Sequence, residues 1–148
     1  MGTFQYKFEK ILTVREKEKT DAQAKYTNSV TQFEEVANKL YKLLKKKEDM
    51  QQFQQEKMIE GLSVIELRHH QMFLENVDKT IGHYQQEVIV ARQRMETLQA
   101  VLIERNIEVK KYEKIKEKQF ERYAEAVKVE EVIQMDDISL QTFLSKEN

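Results

Sequence analysis

In the second half of the chain an apolar residue returns at every seventh position, as Leu74, Ile81, Val88, Met95, Leu102 and Val109. Val77, Tyr84, Ala91, Leu98 and Tyr112 form a second series between them, so the apolar steps alternate between three and four. This is the seam of a coiled coil, a helix that must cover the line of its apolar residues with a partner helix. Beyond Tyr112 the phase continues through Lys116, Gln119 and Tyr123, so the seam weakens toward its end. The chain has no proline and only three glycines among 148 residues. Nearly every backbone position is therefore free to be helical and few can turn, which argues against a compact globule of many short elements.

A partner helix within the same chain requires a reversal, and the stretch Glu60-Gly61-Leu62-Ser63-Val64-Ile65-Glu66-Leu67 carries the chemistry for one. Ser63 and Glu66 have the spacing of a capping box, in which the serine hydroxyl accepts from the third helical amide and the glutamate reaches back to the capping amide. Leu62 and Leu67 have the spacing of a hydrophobic staple, which fixes the angle at which the chain enters the helix. Gly61 can take the left-handed conformation that ends a preceding helix. One unbroken helix is the competing reading, since a single internal glycine costs only about 1 kcal/mol. Three independent signals coincide at the corner and favour the break.

Before the corner, Phe4, Phe8, Ile11 and Leu12 recur at helical steps, with Thr3 available as the cap. A polar stretch from Arg15 to Asp21 interrupts them, and Tyr26, Val30, Phe33, Ala37, Leu40 and Leu44 then resume a heptad seam. Val36, Leu43 and Met50 lie beside it at sevenfold spacing, either flanking a broad core or forming a second ridge that faces a partner. The expected organisation is a single elongated domain: a first helix over 3–60, a turn at 61–63, a second helix over 64–134, and 135–148 as a short helix or a flexible tail. At the helical rise these arms measure about 85 Å and about 100 Å. Folding at the corner puts position n opposite about 123 minus n on the antiparallel arm. Arg105 then meets Glu18, Phe4 and Phe8 meet Tyr112, Ile115 and Phe120, and the residues beyond Phe120 overhang without a partner. The fold class is all-α, a long two-helix antiparallel coiled-coil hairpin with an overhanging C-terminal helix.

Lysine and arginine number 25 against 26 aspartates and glutamates, a balance unlike the basic footprint of a nucleic-acid binder. Without cysteine there is no disulfide or thiolate metal site. The opening residues carry charges among the apolar ones, unlike a signal peptide, and no apolar run is long enough to span a bilayer, so a soluble, cytoplasmic protein is expected. Of the three histidines, adjacent His69 and His70 point about 100° apart on a helix and cannot share an ion. No metal, cofactor or catalytic residue is expected, since a two-helix hairpin offers no closed pocket in which to tune one. Lys110, Lys114, Lys118 and Arg122 form one row on the distal second arm and Glu113, Glu117 and Glu121 another, with compensating pairs expected at Lys114–Glu117 and Lys118–Glu121.

Three blocks of the sequence, FQYKFEKILTVREKEK, GLSVIELRHHQMFLENVDKTIGHYQQEV and NIEVKKYEKIKEKQFE followed by DDISLQTF, closely resemble the FliJ family of the bacterial flagellar type III export apparatus. The resemblance implies a stalk similar to that of rotary ATPase gamma subunits. It further implies insertion into the export ATPase hexamer, promotion of ring assembly, contact with the cytoplasmic part of the membrane-embedded export gate, and escort of substrate-specific export chaperones. Carried over by position, a gate- or partner-binding patch near the turn comprises Leu43, Met50, Phe73, Val77 and Tyr84. The ATPase contact is implied at the free end, where Leu12, Arg15, Glu16, Lys19, Lys114, Lys118 and Arg122 are the expected residues. In this reading the protein is a non-enzymatic monomer in the cytoplasm, peripheral at the membrane through its partners, with no nucleic-acid contact and no bilayer insertion. A structural coiled-coil homodimer, and a chaperone that binds flagellar substrates directly, are the alternatives.

Overall fold

The computed structural model describes residues 3–147 and consists of α1 (Glu9–Glu60) and α2 (Val64–Glu147), packed against each other as an all-α hairpin with no strand among the described residues. The corner forms from the chemistry written in it. Gly61 adopts φ +101° and its amide closes on the Lys57 carbonyl at 2.9 Å, which ends α1. Ser63 Oγ accepts the Glu66 amide at 3.2 Å, Glu66 Oε2 accepts the Ser63 amide at 3.4 Å, and the Leu67 amide reaches the Ser63 carbonyl at 3.0 Å. Both halves of the capping box are thus made, and Leu62 and Leu67 are half-buried beside it.

Contacts divide the described chain into two compact units, one running from Asp21 to Leu102 and the other joining the residues up to Thr20 with those from Ile103 onward. In the turn-side unit, α2 buries its seam as the heptads require. Val77 and Ile81 are buried, and Leu74, Tyr84, Val88, Ala91, Met95, Leu98 and Leu102 are half-buried. The inner face of α1 differs from the expected seam. Tyr26, Val30, Phe33, Ala37 and Leu40 are half-buried, but the deepest positions are Ala22 and Ser29, and beyond Leu40 the seam passes through Leu43, Lys47 and Met50 while Leu44 is exposed. Val36, Leu43 and Met50 therefore continue one heptad with Ala22 and Ser29, and the inner face is broader than one line. Ser29 tolerates 2% exposure because its hydroxyl donates to the Tyr26 carbonyl at 2.6 Å. Lys47, at the rim of the seam, pairs with Asp78 across the helices at 2.6 Å.

In the free-end unit, α1 begins at Glu9 and not at the first apolar residue, because the non-helical segment before it lays its aromatic side chains against α2. Phe4, Tyr6 and Phe8 stand two apart, a spacing that shares one side only when the backbone is not helical. Phe4 packs edge-on against Phe120 at 5.3 Å and against Tyr123 at 5.4 Å, and Phe8 lies 6.3 Å from Tyr112. Tyr6 is buried, donates its hydroxyl to the Tyr112 carbonyl at 2.8 Å, and joins Leu12 and Val109 in a small core. The Glu9 amide to Tyr6 carbonyl bond, 3.2 Å, starts the helix from this plug.

Past Tyr123 the second helix overhangs, and it differs from the expected break near residue 134: α2 runs unbroken to Glu147, with Asp136 and Asp137 inside it and not capping a new helix. No glycine or proline lies in this stretch to stop it. Val129 and Val132 are exposed as expected there, as is Ala126, whereas Ala124 and Val127 are half-buried.

Two outcomes follow from these contacts. Replacing Ser63 by Ala removes the cap and lowers stability by about 1 kcal/mol in urea unfolding. Burial first, then the neighbouring Tyr112 and Glu9, raises the Tyr6 phenol above its ordinary 10.0, so the folded state holds the proton that the unfolded chain releases. Stability is therefore complete below pH 10 and falls as pH rises through the folded value. Tyr6→Phe flattens that alkaline loss, which pH-dependent thermal melts will register.

Candidate interaction surfaces

The patch expected near the turn lies in the Asp21–Leu102 unit, and its five residues divide by depth. Val77 is 7% exposed and belongs to the core, so it offers a partner almost nothing. Leu43, Met50 and Tyr84 are half-buried, and Phe73 is 44% exposed. Met50 and Phe73 come together along one shallow depression with Ile65, Glu66, His69 and His70. Met50 also lines a second, adjoining depression beside Phe53, Lys42, Lys45, Lys46 and Asp49. Cations crowd the aromatic faces: Lys46 Nζ stands 5.3 Å over Phe73 and Lys57 Nζ 5.7 Å over Phe53. His70 sits edge-on to Phe53 at 5.9 Å with its Nε2 buried and unbonded. These contacts leave an open apolar floor with a basic rim, suited to an extended or helical segment of another protein. Lys46 falls at the edge of the expected patch, whereas Phe53, Lys42 and Lys45 were absent from it. Their signal was the run of lysines between Lys39 and Lys47, which reads as an ordinary solvated face until Phe73 and Phe53 are placed beside it.

At the free end, two of the seven expected contact residues are used internally. Leu12 is 3% exposed in the core with Tyr6 and Val109. Arg15 Nη1 donates to both carboxylate oxygens of Glu18 at 3.1 Å, and Arg105 Nη1 donates to Glu18 Oε2 at 3.3 Å. The register drawn from the corner thus brings Arg105 onto Glu18, and the polar interruption of the first arm becomes a charged layer shared by both helices. The hydrogen bond and charge of Glu18 hold the Arg15 guanidinium above its already high ordinary value. Glu16, Lys114, Lys118 and Arg122 are exposed and Lys19 is half-buried, so these five remain available to a partner. The compensating pairs expected along α2 are not formed, for no ion pair joins Lys114 to Glu117 or Lys118 to Glu121 among the described residues. Lys116, on the seam, instead reaches Glu9 of α1 at 3.0 Å.

No group of three or more histidines and carboxylates among the described residues is placed to hold a metal, and no described helix is long and apolar enough to cross a membrane. A hairpin that buries one seam and leaves large apolar side chains such as Phe53, Phe73 and Phe143 exposed on open faces offers surfaces for contacts between proteins. The sequence matches the flagellar FliJ protein family over residues 4–148. It is 46% identical over 141 residues to the flagellar FliJ protein of Bacillus subtilis strain 168, an alignment covering 95% of this chain and 96% of that one. No solved structure matches it. The chain belongs to the FliJ family, and that membership supports a flagellar, export-related role.

The charged layer makes a specific demand on stability. Glu18→Leu alone leaves two guanidinium groups facing each other and lowers the melting temperature, the partial exposure of all three side chains keeping the loss small. Replacing Arg15, Glu18 and Arg105 together by leucine completes the apolar seam and raises the melting temperature above that of the natural chain. Circular dichroism melts of the two variants will show opposite shifts.

Proposed function

We propose that this chain is a stalk-like adaptor of the flagellar export machinery. Its free-end surface binds the export ATPase ring and promotes ring assembly and activity. Its turn-side patch links to the cytoplasmic part of the export gate, and the same adaptor escorts substrate chaperones. The observation that supports this division of labour is the contrast between two surfaces. Phe73 and Met50 form an apolar floor under lysines, the kind of anchor that carries affinity. Glu16, Lys114, Lys118 and Arg122 are exposed and Lys19 half-exposed, all five charged and none of them ion-paired among the described residues. Shallow charged contacts favour fast, reversible engagement, which suits a shaft that must release or move within its ring. The internal Arg15–Glu18–Arg105 layer belongs to the shaft itself and not to its contacts, so the adaptor reading places the ATPase contact on the five exposed or half-exposed residues alone.

The proposal is tested by mixing the full chain with the export ATPase and following ring formation and hydrolysis, both of which rise. Phe73→Ala weakens gate binding by about tenfold or more, the loss of a small hot spot, and spares the ATPase effect. Lys114→Glu with Lys118→Glu and Arg122→Glu does the reverse. Equal loss of both contacts in either variant would refute two separate working surfaces, and an unchanged ATPase would refute the adaptor role.

A further inference from the structure

The overhanging part of α2 carries an apolar stripe that no described residue covers. Val129, Val132, Ile133, Leu140, Phe143 and Leu144 fall within about 120° of the helix circumference, and each is more than half exposed. A contiguous stripe of this kind is a contact surface in search of a partner. Its charges narrow the choice. Residues 130–137 hold four acids, Glu130, Glu131, Asp136 and Asp137, and no base, with Lys128 before them and Lys146 after. None of the four is ion-paired among the described residues.

The same chain carries this pattern with its signs reversed. Residues 39–47 of α1 hold five lysines and no acid, with Glu34 and Glu35 before them and Glu48 and Asp49 after. Lys47 is paired with Asp78, whereas Lys39, Lys42 and Lys45 are exposed and have no ion pair among the described residues. Apolar surface accompanies them, for Tyr41 is 64% exposed and Leu44 44%. The two blocks have nearly the same length. Laid antiparallel with the stripe inward, they bring Glu130 to Lys46, Asp137 to Lys39, and the bounding Lys128 to Glu48, while Glu131 faces away from the contact. An anionic bilayer fits the lysines less well, because a flat surface would meet the four bounding acids together with them.

From this complementarity we infer that the overhang of one copy docks on residues 39–49 of a second copy. The contact is heterologous, since each copy offers one surface of each kind. It shares Lys42, Lys45 and Lys46 with the rim of the turn-side depression but does not depend on the adaptor reading. The monomer expected from the sequence is then the state of the chain in screening salt.

Sedimentation equilibrium on the full chain tests it. At low ionic strength the weight-average mass rises with concentration above 17.8 kDa. At ~1 M salt, where the screening length falls to about 3 Å, it returns to the monomer value. A chain with Lys39→Glu, Lys42→Glu and Lys45→Glu stays monomeric alone, as does one with Glu130→Lys, Asp136→Lys and Asp137→Lys. Mixed in equal amounts, the two associate, because each then supplies the surface that the other matches. Far-UV circular dichroism verifies that both remain helical. A natural chain that is monomeric at every concentration overturns the inference and leaves the stripe to a different protein. Association that resists salt, or a mixture that stays monomeric, overturns it as well.

Discussion

Two helices can bury only the faces they share, and that single interface has to supply all the cohesion that a globular protein draws from many layers. Very few side chains are therefore fully withdrawn from water, and those that are, such as Leu12, Val77, Ile81 and Val109, sit on the seam. Register is consequently the quantity on which everything else depends. A slip of one residue would turn the apolar line away from its partner. The capping box at Ser63 and Glu66 sets it at one end, and the Arg105 to Glu18 contact marks the same register in the free-end unit. Polar chemistry fixes the alignment, and apolar packing then supplies the stability.

This division explains how much could be read from the residues alone. The α2 seam was legible throughout because large apolar side chains occupy almost every seam position, and each of them is buried or half-buried in the structure. The α1 seam was harder, since its deepest members are Ala22 and Ser29, a small residue and a hydroxyl that periodicity does not score as core. Ser29 bonds back to its own helix and so gives up water at little cost. Counting backward from Met50 and Leu43 by sevens would have found it. Tyr6 escaped for a different reason: its spacing to Phe4 and Phe8 belongs to extended chain, and a helical template passes over it.

The surfaces were less legible than the core, for a physical reason. A resemblance carries positions but not depth, and depth decides whether a side chain can touch a partner. Val77 was read both as a seam residue and as part of the patch, and it lies in the seam; Leu12 was expected at a contact and lies in the free-end core. Phe73, one step off the seam, keeps its ring exposed beneath Lys46. The lysine run from Lys39 to Lys47 and the acid run from Glu130 to Asp137 each look like ordinary solvated helix until they are compared with one another.

The aromatic plug before α1 bears on how such a hairpin loosens. Phe4, Tyr6 and Phe8 belong to neither helix, and the plug is held by the Tyr6 hydroxyl bond to the Tyr112 carbonyl, by backbone bonds from the Glu9 and Leu12 amides to the Tyr6 and Phe8 carbonyls, and by ring contacts. Such a segment can peel away while both helical hydrogen-bond ladders stay intact, at a small fraction of the free energy of global unfolding. Peeling uncovers Leu12 and Val109, the most secluded apolar side chains of that end. The hairpin thus carries a latch at its open end, and amide exchange there is decoupled from exchange along the rest of the molecule.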